Sequence, residues 1–232
     1  MEGQKKILNA KDLAGMIEHT LLKPETTEKQ IAQICQEARE YEFAAVCINP
    51  CYVSIAQDYL AQSTVAVCTV IGFPLGAGTF AAKLTETQQA LRNGADELDM
   101  VLNIGWLKSG FYDKVEAEIR EIVQQAKGGG TFARVKVILE TCLLTAEEKK
   151  TACQLAQRAG ADFVKTSTGY GAHGATVEDV VLMRQVVGSD MGIKAAGGIK
   201  TLSQALAFIQ AGANRIGASA GKTIMQQWES ST

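Results

Sequence analysis

Burying an ammonium group is costly unless opposite charges or hydrogen bonds compensate it. A lysine inside an apolar run is therefore a candidate for chemistry. Two stand out in this chain: Lys165 in Ala161-Asp162-Phe163-Val164-Lys165-Thr166-Ser167-Thr168-Gly169, and Lys194 in Met191-Gly192-Ile193-Lys194-Ala195-Ala196-Gly197-Gly198. A lysine held neutral is an amine nucleophile that forms a Schiff base with a carbonyl. A second lysine nearby favours that state, since like charges about 4 Å apart at an effective dielectric near 20 repel by about 4 kcal/mol. The pattern also fits two strand-end lysines whose ammonium groups reach solvent. In Glu97-Leu98-Asp99-Met100-Val101-Leu102-Asn103, strand alternation puts Asp99 on one face with Glu97, Val101 and Asn103. A carboxylate there would hold one lysine charged and relay a proton.

Such residues act together only if the chain brings strand ends together. Eight short runs read as strands, at residues 17–21, 44–49, 65–72, 97–102, 135–140, 163–166, 192–195 and 215–216. Several are almost unbroken apolar text, as in strands buried on both faces of a parallel sheet. Between them, Thr27-x-x-Gln30, Thr145-x-x-Glu148 and Thr201-x-x-Gln204 carry the capping-box pattern of helix starts. Apolar residues at helical spacing are expected to pack on the sheet: Ile31, Ile34, Cys35 and Ala38; Val115, Ile119, Ile122 and Ala126; Leu202, Ala205, Leu206 and Ile209.

Three segments echo one another: Asn93-Gly94-Ala95-Asp96, Ala159-Gly160-Ala161-Asp162 and Ala211-Gly212-Ala213-Asn214. Each closes a helix on a left-handed glycine and opens a strand, and they recur at every second strand–helix unit. Eight units in 232 residues match the roughly 250 residues of an α/β barrel of the (β/α)8, or TIM, type. The expected fold is one such domain over residues 1–232 with a short N-terminal helical extension. Gly128-Gly129-Gly130 forms a loop before the fifth strand. A doubly wound open sheet is the main alternative, but it uses fewer strands and a glycine-rich first turn, which the first strand–helix junction lacks.

In a TIM barrel the C-terminal strand ends carry chemistry and the N-terminal ends stability. Asp96, Asp162 and Lys136, at strand starts, are assigned to stability. Ala196-Gly197-Gly198-Ile199 and Gly217-Ala218-Ser219-Ala220-Gly221 follow the seventh and eighth strands, where barrels of this type commonly cradle phosphate. Gly169, Gly197, Gly198, Gly217 and Ser219 are the expected phosphate-binding residues.

Composition narrows the partners. A net charge of −2 gives no basic excess for nucleic acid or anionic membrane, and aromatic residues are 6% of the chain. No run approaches the roughly 20 apolar residues of a membrane helix, and the N-terminal stretch has no signal-peptide core. A cytoplasmic protein is expected. The six cysteines form no Cys-x-x-Cys pair and mostly sit in apolar runs, and there are two histidines. Buried thiols, no metal and no cofactor are the expectation; His19 and His173 are taken as structural or loop residues.

The motifs Ile17-Glu18-His19-Thr20-Leu21-Leu22-Lys23-Pro24, Val46-Cys47-Ile48-Asn49-Pro50, Leu98-Asp99-Met100-Val101, Phe163-Val164-Lys165-Thr166-Ser167-Thr168-Gly169 and Ile193-Lys194-Ala195-Ala196-Gly197-Gly198-Ile199 together resemble the deoxyribose-phosphate aldolase family. The likeness runs in order from about residue 13 to 225. It implies a metal-independent, class I aldolase that cleaves 2-deoxy-D-ribose 5-phosphate to D-glyceraldehyde 3-phosphate and acetaldehyde. It also implies Lys165 as Schiff-base lysine, Lys194 as the lysine that tunes it, Asp99 as acid/base, and the glycine turns with Ser219 as phosphate loops. Glu18 stands where the family pattern has aspartate, Tyr170 where some members have lysine, and the C-terminus lacks the tyrosine of others. A homo-oligomer, dimer or tetramer, is expected. The alternatives are another Schiff-base aldolase or a sugar-phosphate-binding barrel without chemistry.

Overall fold

The computed structural model describes residues 9–128 and 132–231. Eight strands, β1 (Ile17–Leu21), β2 (Ala45–Ile48), β3 (Ala66–Ile71), β4 (Glu97–Val101), β5 (Arg134–Ile138), β6 (Phe163–Lys165), β7 (Gly192–Ala196) and β8 (Arg215–Ala218), close in sequence order into a parallel barrel. β1 pairs with β8 to seal it. The eight expected strands are all present, with bounds shifted by at most two residues. The helices are α1 (Ala10–Ala14), α2 (Glu28–Tyr41), α3 (Val53–Tyr59), α4 (Phe80–Arg92), α5 (Ile104–Lys108), α6 (Tyr112–Lys127), α7 (Ala146–Arg158), α8 (Val177–Val187), α9 (Leu202–Gln210) and α10 (Gly221–Glu229). α1 is the expected N-terminal extension. Gly129 and Gly130 of the expected glycine loop lie outside the described residues.

Strand alternation sends Leu98 and Met100 outward to the helices and Glu97 and Asp99 inward. The main apolar core accordingly lies between barrel and helices, where Ile31, Ile34, Cys35 and Ala38 of α2 and Val115, Ile119, Ile122 and Ala126 of α6 are buried as expected. On α9 the buried face is Ala205, Phe208 and Ile209; Leu202 and Leu206 are half-buried at its edge. Phe208, three residues after Ala205, joins the buried face that the expected stripe left out. Inside the barrel a small apolar cluster of Leu22, Ala45, Cys47, Cys68 and Val70 lines one side.

The capping boxes form at Thr27, Thr145 and Thr201. The three echoed segments have a shared job at the N-terminal strand ends. Asp96 Oδ2 accepts from Val67 N at 2.8 Å, Asp162 Oδ2 from Val135 N at 2.8 Å, and Asn214 Oδ1 from Ile193 N at 2.9 Å. Each side chain thus completes the hydrogen bonding of the preceding odd strand where the ladder begins. Asp96 and Asp162 act in stability, as strand position implies.

Candidate active site

Lys165 is the last residue of β6, is 2% exposed, and lines a cavity of about 460 Å³ at the C-terminal end of the barrel. Register places it directly opposite Lys194 on β7. β7 continues to Ala196, so Lys194 lies mid-strand rather than at the strand end, fully buried beneath the cavity. Solvent-reaching ammonium groups are therefore excluded for both lysines. Asp99 joins them: its Oδ2 accepts from Lys165 Nζ at 2.7 Å and from Lys194 Nζ at 2.7 Å. The two lysines are not bare neighbours repelling one another. A carboxylate oxygen sits between them.

The ionic cluster extends deeper than strand position suggests. Lys136 is the third residue of β5, and register pairs it with Asp99, the third residue of β4. It is fully buried, and its Nζ reaches Asp99 Oδ1 at 3.0 Å, Glu97 Oε2 at 2.6 Å and Glu18 Oε2 at 3.5 Å. The assignment of Lys136 to a strand start apart from the site is thus corrected: it is in the same network. Glu18, the acid that departs from the family pattern, pairs with Lys194. Arg215 approaches Glu97 and Glu18 at 3.6 and 3.8 Å. Of these, Lys136 carries the signal that singled out Lys165, a charge inside an apolar run; Glu18 is followed by His19 and Thr20, and Arg215 opens its strand.

Burial pushes the Asp99 carboxyl up, but Lys136, Lys165 and Lys194 outweigh it and hold the group well below the carboxylate range. Burial pulls the Lys194 ammonium down, and Asp99 and Glu18 reverse this, so it is raised above an ordinary lysine. Lys136 is raised likewise, with Asp99 the largest compensating charge. Asp99 is thus ionised, and Lys136 and Lys194 charged, at neutral pH. Two groups of possible ligands, Cys47 with Cys68 and Asp99, and Glu18 with Cys68 and Glu97, lie within 4.8 Å internally. The Lys136 ammonium contacts Cys68 at 3.3 Å as well as both acids, so a cation already occupies the ground they share.

Gly169, Gly197, Gly198, Gly217 and Ser219 all line the cavity that Lys165 enters. Gly197 and Gly198 have φ of +93° and +79°, and Gly169 +88°, a conformation that favours glycine. Gly217 has a second reason: a Cβ there would lie 2.9 Å from Lys194 Cε. Lys23 and Lys200, adjacent to the loops but not singled out by sequence, line the cavity too. Tyr170 forms a wall, its hydroxyl donating to the Leu22 carbonyl at 2.8 Å. Residues 169–174 have Gly-x-Gly-x-x-Gly spacing, but this loop opens no helix, since α8 starts at Val177.

Other expected roles divide. His19 is buried against Phe43 and pairs with Glu37 at 2.8 Å; His173 is an exposed loop residue. Cys35 and Cys153 are core thiols that burial pushes to about 11 and about 12. Cys47 and Cys68 are buried too, whereas Cys142 is half-buried and Cys51 exposed.

A shared ionic cluster beneath a cavity with glycine turns suggests a lineage, and comparison supplies it. The family model described as DeoC/LacD family aldolase matches residues 13–227. The chain belongs to that family. Its relatives include a deoxyribose-phosphate aldolase of Thermoanaerobacter sp. (strain X514), 59% identical over 217 residues, covering 94% of this chain and 97% of the relative. That of Caldanaerobacter subterraneus subsp. tengcongensis is 57% identical over 225 residues, covering 97% of each. Among solved structures, the tetrameric deoxyribose phosphate aldolase from Aeropyrum pernix matches with a TM-score of 0.89 and 36% identity, covering 97% of this chain and 94% of that one. The resemblance read from the motifs is borne out, and the chain is an aldolase, an enzyme of carbon–carbon bond chemistry. Among the described residues, no helix is long and apolar enough to cross a membrane.

The ionic interior is expected to make the aldolase acid-sensitive. Burial pushes the Glu97 carboxyl up, but Lys136 and then Arg215 overcome this and bring it to about 2, against an ordinary 4.5. A folded value below the unfolded one contributes stability above about pH 4.5 that is lost as pH falls toward 2. The contribution is on the order of 3 kcal/mol. Glu97→Gln is expected to lower stability at pH 7 and to flatten its loss between pH 5 and 3 in denaturant titrations. Parallel curves for variant and parent would contradict this.

Proposed function

We propose that this aldolase reversibly cleaves 2-deoxy-D-ribose 5-phosphate to D-glyceraldehyde 3-phosphate and acetaldehyde through a Schiff base on Lys165, without a metal. The observation that carries the reading is positional. Of the three interior lysines, Lys165 lines the cavity, which it shares with the glycine turns, while Lys136 and Lys194 lie below it.

The neutral amine attacks the C1 aldehyde of the open-chain sugar, and loss of water gives an iminium. The iminium withdraws the C2–C3 bonding pair into an enamine as the C3 hydroxyl proton leaves. The iminium keeps one N–H on Lys165 Nζ toward Asp99, and the Asp99 carboxylate accepts the C3 hydroxyl proton through a water of the cavity, with Lys194 holding it in place. C3 becomes the aldehyde carbon of glyceraldehyde 3-phosphate. The enamine is protonated at C2 and hydrolysed, releasing acetaldehyde and the amine. Gly169, Gly197, Gly198, Gly217 and Ser219 hold the phosphate by backbone N–H groups and the serine hydroxyl. Lys23 and Lys200 supply positive charge at the same cavity.

Six free thiols suit a reducing compartment, and we place the enzyme in the cytoplasm. A homo-oligomer, dimer or tetramer, is supported by the tetrameric relative and by exposed Leu75 and Phe132. The deciding experiment is borohydride trapping with 2-deoxyribose 5-phosphate in the presence of chelator, followed by peptide mapping. A two-carbon adduct on Lys165 is the expected result. A five-carbon adduct would remove the acid/base assignment, and no adduct would leave a phosphate-binding barrel without this chemistry.

A further inference from the structure

A second buried ion pair lies outside the barrel interior and takes no part in the steps above. Lys83 on α4 and Glu118 on α6 are both buried, with Lys83 Nζ 2.7 Å from Glu118 Oε2. The same ammonium donates to the Val101 carbonyl at 2.9 Å. Val101 ends β4, the strand that carries Asp99.

That carbonyl has lost its place in the sheet. The Val101–Leu102 peptide gives its N–H to Ile138 on β5 at 3.2 Å. A planar trans peptide then turns the Val101 carbonyl to the other side, toward β3. There β3 has already ended, at Ile71 paired with Met100. Lys83 supplies the donor that the missing strand residue would have given. The path of its side chain is closely built. Gly72 takes φ +63°, and a Cβ there would lie 2.7 Å from Lys83 Cε. The Gly72 N–H is held by Glu86 Oε2 at 2.7 Å, and a Cβ on Gly76 would lie 2.1 Å from the Leu102 carbonyl. The whole β3–α4 turn is thus pressed against the end of β4.

Stability alone is a poor reason for the pair. Burial pulls the Lys83 ammonium below its ordinary value and pushes the Glu118 carboxyl above its own, and the Glu118 Oε1 atom has no hydrogen-bond partner. Apolar replacements of buried ion pairs are often as stable or more so. We propose that Lys83, oriented by Glu118, is a positioning residue that fixes the end of β4 and so holds Asp99 at the oxygen-to-nitrogen distances shared by Lys165 and Lys194. The inference rests on the acid/base reading of Asp99.

The test compares Lys83→Met, Lys83→Met/Glu118→Leu and Glu118→Gln for Tm, kcat and KM on 2-deoxyribose 5-phosphate, and borohydride trapping at Lys165. Lys83→Met is expected to lower both Tm and kcat. The double variant should regain Tm while kcat stays down by about tenfold or more, with KM within about twofold and Lys165 still trapped. Glu118→Gln keeps an acceptor for Lys83 and should retain most of kcat whatever its Tm. Recovery of kcat together with Tm in the double variant would overturn the proposal, as would a loss in Glu118→Gln equal to that in Lys83→Met. Failure of trapping in the parent enzyme would instead sink the Schiff-base reading itself.

Discussion

Lys165→Met is expected to lose at least about four orders of magnitude in kcat, and to fold at least as stably as the parent. Both halves follow from the geometry. Methionine matches lysine in reach but has no amine, so no covalent intermediate forms and no group beside it can serve instead. Lys194 and Lys136 are closed off beneath the cavity and held charged by Asp99 and other acids. Asp99 keeps Lys136 and Lys194 as partners, so the substitution does not leave it unpaired. Steady-state assays, thermal unfolding and borohydride trapping check it together. Residual turnover within about a hundredfold of the parent, with no adduct at position 165, would mean that another group carries the reaction.

Lys194→Leu is expected to lower kcat by about a hundredfold or more and to move the rising limb of the pH–rate profile to higher pH. The sign follows from the cluster. The active form needs a neutral Lys165, and the positive charge of Lys194 disfavours a second proton nearby. Removing that charge leaves Asp99 Oδ2, 2.7 Å from Lys165 Nζ, as an attraction for the protonated amine, so more alkaline solution is needed to strip it. Lys194→Arg keeps the charge and should keep the profile, although crowding against Gly217 lowers its rate. A Lys194→Leu profile superimposable on the parent's would remove the electrostatic coupling.

What the sequence made legible was set by periodicity. Unbroken apolar runs gave eight strands, and glycine-plus-acid segments gave the junctions, because both depend on neighbours along the chain. Lys165, Lys194 and Asp99 were legible because charge in such runs is rare. Lys136 was misplaced because it sits as deep in β5 as Asp99 does in β4: the two strands pair start to start, Glu97 with Arg134, so their third residues stand level. The partners of Glu18 were hidden because Lys194 lies 176 residues away and no local pattern couples them. Gly217 read as a phosphate turn, and its additional duty of clearing the path of Lys194 depends on a neighbouring strand. Lys83 gave no signal at all, since a lysine in an amphipathic helix is ordinarily solvent-facing.

The interior charges also divide by origin along the chain. Glu18, Glu97 and Asp99 come from β1 and β4, in the first half; Lys136, Lys165, Lys194 and Arg215 come from β5 to β8, in the second. During synthesis the first half emerges with three converging carboxylates and none of the cations that answer them. A half-barrel made of β1–β4 therefore has a self-repelling concave face, and two identical halves cannot complete one another. Two unlike halves can, because each carries the counter-ions of the other. The ionic cluster is complete only when β8 meets β1 and Glu18 reaches Lys194. Any circular permutation or split of this chain that reassembles must reunite the acidic half with the basic one before its active site exists.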